Sequence, residues 1–266
     1  MSSPRVSNPI KVADELERTV VRRDLSGRTL RKYYGFARGR WYGGSLAAYV
    51  IGCNLDCAFC WAWFKDRYDL GTYLLPEDVV GRLVSAGRAS GVRTLRISGG
   101  EPTIGFDHLI QVLRLFTEKA GPMKLVVETN GILIGARNTL ASELGELSGR
   151  NVVMRVSIKG ANPETFSSLT GSPSEYFNYQ LSSIKNLIEV GYEPGRTLSV
   201  AVMSSFNTPR EVAELIYRLT EIDDSLAESI ELELVRMYGG VRKKLQARGI
   251  TPYRYLDPSN FHTQSG

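Results

Sequence analysis

Cys53-Asn54-Leu55-Asp56-Cys57-Ala58-Phe59-Cys60 holds all three cysteines of the 266-residue chain, and Trp61-Ala62-Trp63 follows directly. Thiolates are soft ligands suited to iron–sulfur clusters, whereas hard cations take oxygen. Three thiolates hold three irons of a four-iron, four-sulfur cube and leave the fourth iron open. An open metal position belongs to sites where substrate or cofactor must reach the metal; structural sites fill every position. A disulfide with a spare thiol fits an odd cysteine count poorly, and the first eleven residues lack the apolar core of a secretory signal. A structural zinc ion needs a fourth ligand, and neither histidine, His108 or His262, stands at zinc-finger spacing. A cluster is the reading that remains.

Outward from this stretch, short apolar runs alternate with amphipathic ones. Residues 46–51 predict a strand that delivers the cysteine loop at its C-terminal end. Further strands are predicted over 92–97, 124–127, 152–158, 197–203 and 230–235, with helices over 76–89, 106–119, 136–147, 174–190 and 209–220. Such alternation gives a parallel sheet with right-handed crossovers. Functional residues of such sheets collect at strand C-termini. Three further motifs fall there: Ser98-Gly99-Gly100-Glu101-Pro102, Glu128-Thr129-Asn130-Gly131 and Ser157-Ile158-Lys159-Gly160. With the cysteine loop they predict one active site on one rim.

The spacing C-x3-C-x2-C, with Phe59 before the last cysteine and Gly-Gly-Glu-Pro one strand later, resembles the signature of the radical S-adenosylmethionine (radical SAM) superfamily. The resemblance implies an α/β fold, a partial (βα)6 TIM-like barrel over residues 45–236, with extensions at 1–44 and 237–266. It implies a [4Fe–4S] cluster on Cys53, Cys57 and Cys60, its open iron chelated by the amino and carboxylate groups of SAM. One electron then cleaves SAM to methionine and a 5′-deoxyadenosyl radical. Phe59 is implied near the adenine, Gly99 and Gly100 against the methionyl part, and Glu101 toward the ammonium group. The later motifs resemble those of pyruvate formate-lyase activating enzyme. On that likeness Glu128 meets ribose hydroxyls and Lys159 the SAM carboxylate, while Ser157 stands where an acidic residue is usual. The Cys60-Trp61 junction is similar to that of tRNA wyosine synthase, although no cysteine remains here for a second cluster.

An electron donor such as ferredoxin or flavodoxin is implied as a partner. The substrate is open: a glycyl residue of a protein partner, or an RNA. No substrate-specific acid, base or thiol stands out. A noncatalytic iron–sulfur or zinc RNA-binding module is the rival from another class, and it has no use for a SAM pocket.

Basic residues number 33 against 28 acidic, giving +5 and a pI near 9.1, a mild lean toward a polyanionic partner. No apolar run approaches a membrane span, and a reducing, cytoplasmic setting is expected. Residues 1–8 are expected to be mobile and 12–23 to form a short helix outside the core. Between Arg28 and Gly44, Arg28, Arg31, Lys32, Arg38 and Arg40 interleave with Tyr33, Tyr34, Phe36, Trp41 and Tyr42. They read as an RNA surface or, the preferred reading, as aromatics covering one end of the core beneath solvated cations. The radical SAM resemblance implies that the tail from Met237, with Arg242-Lys243-Lys244, lines or caps the barrel.

Overall fold

The computed structural model describes residues 6–258; residues 1–5, His262 and the end of the tail lie outside the described residues. In chain order the elements are α1 (Pro9–Val20), β1 (Val21–Arg23), β2 (Thr29–Gly39), β3 (Ser45–Val50), β4 (Thr72–Leu74) and α2 (Pro76–Ser90). Then come β5 (Thr94–Gly99), α3 (Phe106–Lys119), β6 (Lys124–Thr129), α4 (Ile132–Ala136), α5 (Asn138–Gly145) and β7 (Val152–Ile158). The chain continues through α6 (Pro163–Thr170), α7 (Phe177–Glu189), β8 (Leu198–Met203), α8 (Pro209–Thr220), α9 (Leu226–Ser229) and β9 (Ile230–Glu233). It ends in β10 (Val235–Arg236), α10 (Gly239–Ala247) and β11 (Tyr255–Leu256). No helix among the described residues is long and apolar enough to cross a membrane.

Local chemistry accounts for several of the boundaries. Proline opens α1, α2, α6 and α8, where its fixed φ suits the first helical turn and its missing N–H costs nothing. Asn8 and Asn162 cap their helices through side-chain oxygens, and Thr208 with Glu211 forms a reciprocal capping box.

The strands β3, β5, β6, β7, β8 and β9 pair in that order, all parallel, and among the described residues β9 has no further neighbour in the sheet. The partial barrel expected from the sequence is therefore present and open. Residues of one strand alternate between faces. Leu95, Ile97, Leu125, Val127, Met154, Val156, Val200 and Val202 turn outward into the main apolar core under the helices. The intervening positions are largely polar: Arg96, Ser98, Glu128, Arg155, Ser157, Ser199, Glu231 and Glu233 turn inward.

Several expectations need correction. The segment 28–44 forms β2, which pairs antiparallel with β1 and then β3 along one side and with β4 on the other, extending the sheet to nine strands. Its cations are not uniformly solvated: Arg31 is 1% exposed, with Nε donating to the Ile104 carbonyl (2.9 Å), and Lys32 is also buried. A four-cation RNA grip through Arg31, Lys32, Arg38 and Arg40 is thereby excluded, because two of the four side chains turn into the protein. The expected helix over 12–23 stops at Val20, and 21–23 joins the sheet. The stretch before it is tied down where described, Val6 N–H donating to the Gly171 carbonyl (2.9 Å). The helix expected over 136–147 is α5, shorter at Asn138–Gly145, and an unexpected α4 precedes it, the two separated at Arg137, whose backbone is extended. The strand expected over 230–235 ends at Glu233, and Val235 pairs with Tyr255 in a separate two-stranded sheet.

Candidate active site

The four motifs meet at the C-terminal rim of the parallel strands, and buried hydrogen bonds hold them there. Gly100 N–H donates to the Val50 carbonyl (2.8 Å) and Glu101 N–H to that of Gly52 (2.7 Å). A Cβ on Gly100 would lie 2.1 Å from the Gly52 oxygen, so glycine is required for this loop to lie against the entrance to the cysteine loop. Gly99, at φ 98°, faces Val50, Phe64 and Tyr49. Asp56 and Ala58 N–H groups donate to the Thr170 and Leu169 carbonyls at the end of α6 (3.1 and 2.8 Å).

The Glu101 carboxylate is 1% exposed and already accepts four hydrogen bonds. Oε1 takes the Thr103 N–H (3.1 Å), Thr103 hydroxyl (2.7 Å) and Thr129 hydroxyl (2.6 Å), and Oε2 takes the Asn130 N–H (2.8 Å). It braces the Gly-Gly-Glu and Glu-Thr-Asn loops against each other. A residue with no sequence signal, Gln180 of α7, joins the next pair. Its Nε2 donates to the Asn130 and Ser157 carbonyls (2.6 and 2.9 Å), and its Oε1 accepts from Lys159 N–H (3.1 Å).

The cysteines are free thiols. Burial pushes the Cys53 thiol well above its ordinary pKa and Cys57 up to about 11, reinforced by the neighbouring sulfurs and opposed by Lys65 at Cys53 and Lys159 at Cys57. A bound metal would displace the protons of such thiols, which are released to solvent or a base. Among the described residues no three His, Cys, Asp or Glu side chains converge to hold one metal ion. Asn54, fully buried next to Cys53, adds a donor. Asn130 Oδ1 accepts from Ile132 N–H and its Nδ2 donates to Asn54 Oδ1 (2.8 Å), which leaves Asn54 Nδ2 without a partner among the described residues. Hydrogen bonds to cluster sulfurs are a recognised use for such a group. The loop fits a cluster.

The other sequence-predicted residues divide. The Lys159 ammonium stands 6.0 Å from the Phe59 ring, and Phe59 lies 5.7 Å from Phe206, so both belong to the cysteine-loop side of the rim. Ser157 is buried, its hydroxyl 3.5 Å from Arg155. Glu128 points into the barrel. Its carboxylate takes both arms of Arg96 (2.9 and 2.8 Å), the Ser98 hydroxyl (2.6 Å) and the Tyr42 hydroxyl (3.2 Å). Burial opposes its ionisation, but Arg96, Arg155 and the Ser98 hydroxyl together hold the carboxyl below its usual range.

Below the rim lies a charged interior absent from the sequence reading. Arg155 bridges Glu231 (2.7 Å) and Glu233 (2.8 Å), and Ser199 donates to Glu231 (2.5 Å). The β2–β3 turn closes one end with two rings. Arg236 lies 4.3 Å above Trp41, and Arg96 5.7 Å from Tyr42. Tyr42, at φ 58°, is the one non-glycine residue with positive φ among the described residues, a conformation retained only where surroundings enforce it. Arg96 NH1 is buried without a partner among the described residues. Beside the cysteine loop stands a second aromatic group. Phe64 stacks on Tyr34 (4.2 Å, 6° between planes), Trp63 meets Tyr34 edge-on and Trp61 meets Tyr49 edge-on.

Three thiols on a strand-end loop of an open parallel barrel define an iron–sulfur enzyme of the SAM-cleaving class. The chain belongs to the radical SAM superfamily, whose family profile matches residues 49–219. Its cofactors are accordingly a [4Fe–4S] cluster and SAM, and it requires a reductant. A probable GTP 3′,8-cyclase of Pyrobaculum aerophilum is 30% identical over 197 residues, 72% of this chain and 59% of that protein. Another, of Saccharolobus islandicus, is 26% identical over 186 residues, 70% of this chain and 54% of that one. The chain thus spans little more than half the length of these relatives. A solved structure of TYW1 with a lysine-pyruvate adduct bound superposes with a TM-score of 0.49 at 16% identity, covering 77% of this chain and 72% of that one.

Proposed function

We propose that this enzyme abstracts a hydrogen atom from a polar small molecule of the nucleotide class held inside the barrel. The observation that carries the reading is the interior itself. Arg96 and Arg155 with Glu128, Glu231 and Glu233 face inward, and Trp41 and Tyr42 stand at one end. Arg96 keeps NH1 without a partner among the described residues, a donor suited to a phosphate or carboxylate oxygen, and flat rings suit a base. Relatives named GTP 3′,8-cyclases support a nucleotide as the class; the ring closure in that name is not carried over to this shorter chain. A glycyl loop would bring backbone amides and no charge into this interior, and the RNA reading has lost two of its cations to the core.

Cluster and SAM, when bound, supply a 5′-deoxyadenosyl radical at the rim. Cys53, Cys57 and Cys60 hold the cluster. Lys159 pairs with the SAM carboxylate, the backbone of Gly99 and Gly100 lies along its methionyl part, and Phe59 packs near its adenine. Glu101 acts as the brace of these loops, while Glu128 and Ser157 orient the inward arginines. A small acidic donor such as ferredoxin or flavodoxin provides the electron, in a reducing cytoplasmic setting.

Reconstituted enzyme, SAM and dithionite are incubated with deuterated nucleotides, a glycine-deuterated peptide or deuterated RNA. Deuterium passing from a nucleotide into 5′-deoxyadenosine is the expected result. Transfer only from the peptide or the RNA would overturn the substrate class and leave the SAM chemistry standing.

A further inference from the structure

The cysteine loop touches a part of the chain almost two hundred residues away. Arg248 ends α10, and its side chain is 8% exposed. Its NH1 donates to the Asp56 carbonyl (2.7 Å) and, at 3.4 Å, to that of Leu169, while NH2 pairs with the Asp56 carboxylate. Asp56 lies between Cys53 and Cys57, and the Leu169 carbonyl is also the acceptor for Ala58 N–H. One guanidinium therefore meets the loop backbone, the loop carboxylate and the C-terminal end of α6, where a cation is favoured by the helix dipole. An apolar cluster backs the contact, holding Ala58 of the cysteine loop, Leu169 of α6 and Val241 and Leu245 of α10 together.

We propose that Arg248 is a positioning residue for the cluster, fixing the span from Cys53 to Cys57 and placing a permanent positive charge beside it. The proposal rests on the reading that these cysteines hold the cluster. Arginine is needed because the fork bonds a carbonyl and a carboxylate at once, and lysine supplies the charge without the fork. The tail beyond β9 is then part of the cofactor site and more than a cover for the barrel.

The test compares wild type with Arg248→Gln, Arg248→Lys and the surface control Arg242→Gln. Hydrogen exchange on protein without cluster reads the contact directly. The Asp56 and Ala58 amides are expected to exchange at least tenfold faster in Arg248→Gln, with α8 unchanged. Arg248→Lys recovers part of the protection and Arg242→Gln behaves as wild type. After reconstitution, Arg248→Gln is expected to lose iron to a chelator several-fold faster and to show a more negative cluster potential. Arg248→Lys keeps the potential near that of wild type but still loses iron faster. Wild-type protection, iron retention and potential in Arg248→Gln would overturn the proposal. So would a global loss of stability with no change in potential in the loaded fraction, which is what a merely structural contact predicts. A wild type that takes up no iron would overturn the cluster assignment itself, while the exchange data still decide whether the contact holds the loop.

Discussion

Glu101 receives four donors, three on Oε1 and one on Oε2, so most of its carboxylate is engaged in bracing the two loops. Replacing it by Gln turns one oxygen into an NH2 group facing donors, at a cost of roughly 3 kcal/mol. Chemical denaturation should show that loss, together with poorer cluster loading, since two rim loops lose their brace. A pure SAM anchor would instead weaken SAM binding at unchanged stability. His108 makes a second case. Its Nδ1 donates to the Thr29 carbonyl (3.1 Å), so Nε2 accepts from the Tyr33 hydroxyl (3.2 Å), and burial lowers its pKa to about 4. The unfolded chain binds a proton near pH 6.5 and the folded one only near 4. Stability from this group is therefore present above about pH 6.5, falls as pH drops toward 4, and is constant below. Between pH 7 and pH 5 that is about 2 kcal/mol. Urea unfolding at the two pH values should show the difference, and His108→Gln should reduce it by that amount.

Glycines separate tolerant elements from tight ones. Gly81 sits on the exposed face of α2 with nothing within 4 Å of where a Cβ would lie, so Gly81→Ala should stabilise by about 0.5–1 kcal/mol. A Cβ on Gly135, at the end of α4, would lie 1.9 Å from the Tyr179 carbonyl of α7. Gly135→Ala should cost about 3 kcal/mol or more, because backbone rather than a flexible side chain must move. Thermal unfolding of the two variants checks both signs. The parallel strands could be read from the sequence because each repeats an apolar residue at every second position. The strand β2 could not. A register shift between Tyr33 and Gly35 breaks its alternation, and Arg31 and Lys32, which look like surface residues, are buried. The break between α4 and α5 was equally hidden, since Arg137 itself carries no turn signal and Gly135, two residues earlier, is still helical.

At the scale of the molecule, the six parallel strands present chemistry on one rim and charge in the interior, and both ends of the chain complete the site. The N-terminal strands extend the sheet and bring Trp41 and Tyr42 to the barrel, while the C-terminal segment brings Arg236 and Arg248. The cysteines were readable because their ligand spacing lies within eight consecutive residues. Gln180 and Arg248 were not, because each acts on a loop far away in sequence and neither belongs to a local pattern. The ion pairs of the interior were hidden for the same reason, being set by strand order. The account stands on three thiolates holding one site-open cluster that SAM completes. Anaerobic reconstitution, followed by iron analysis and electron paramagnetic resonance of the reduced protein with and without SAM, tests this most directly. The account predicts about four irons per chain and a signal that changes when SAM is added. Stoichiometric zinc, or a cluster signal indifferent to SAM, would contradict it.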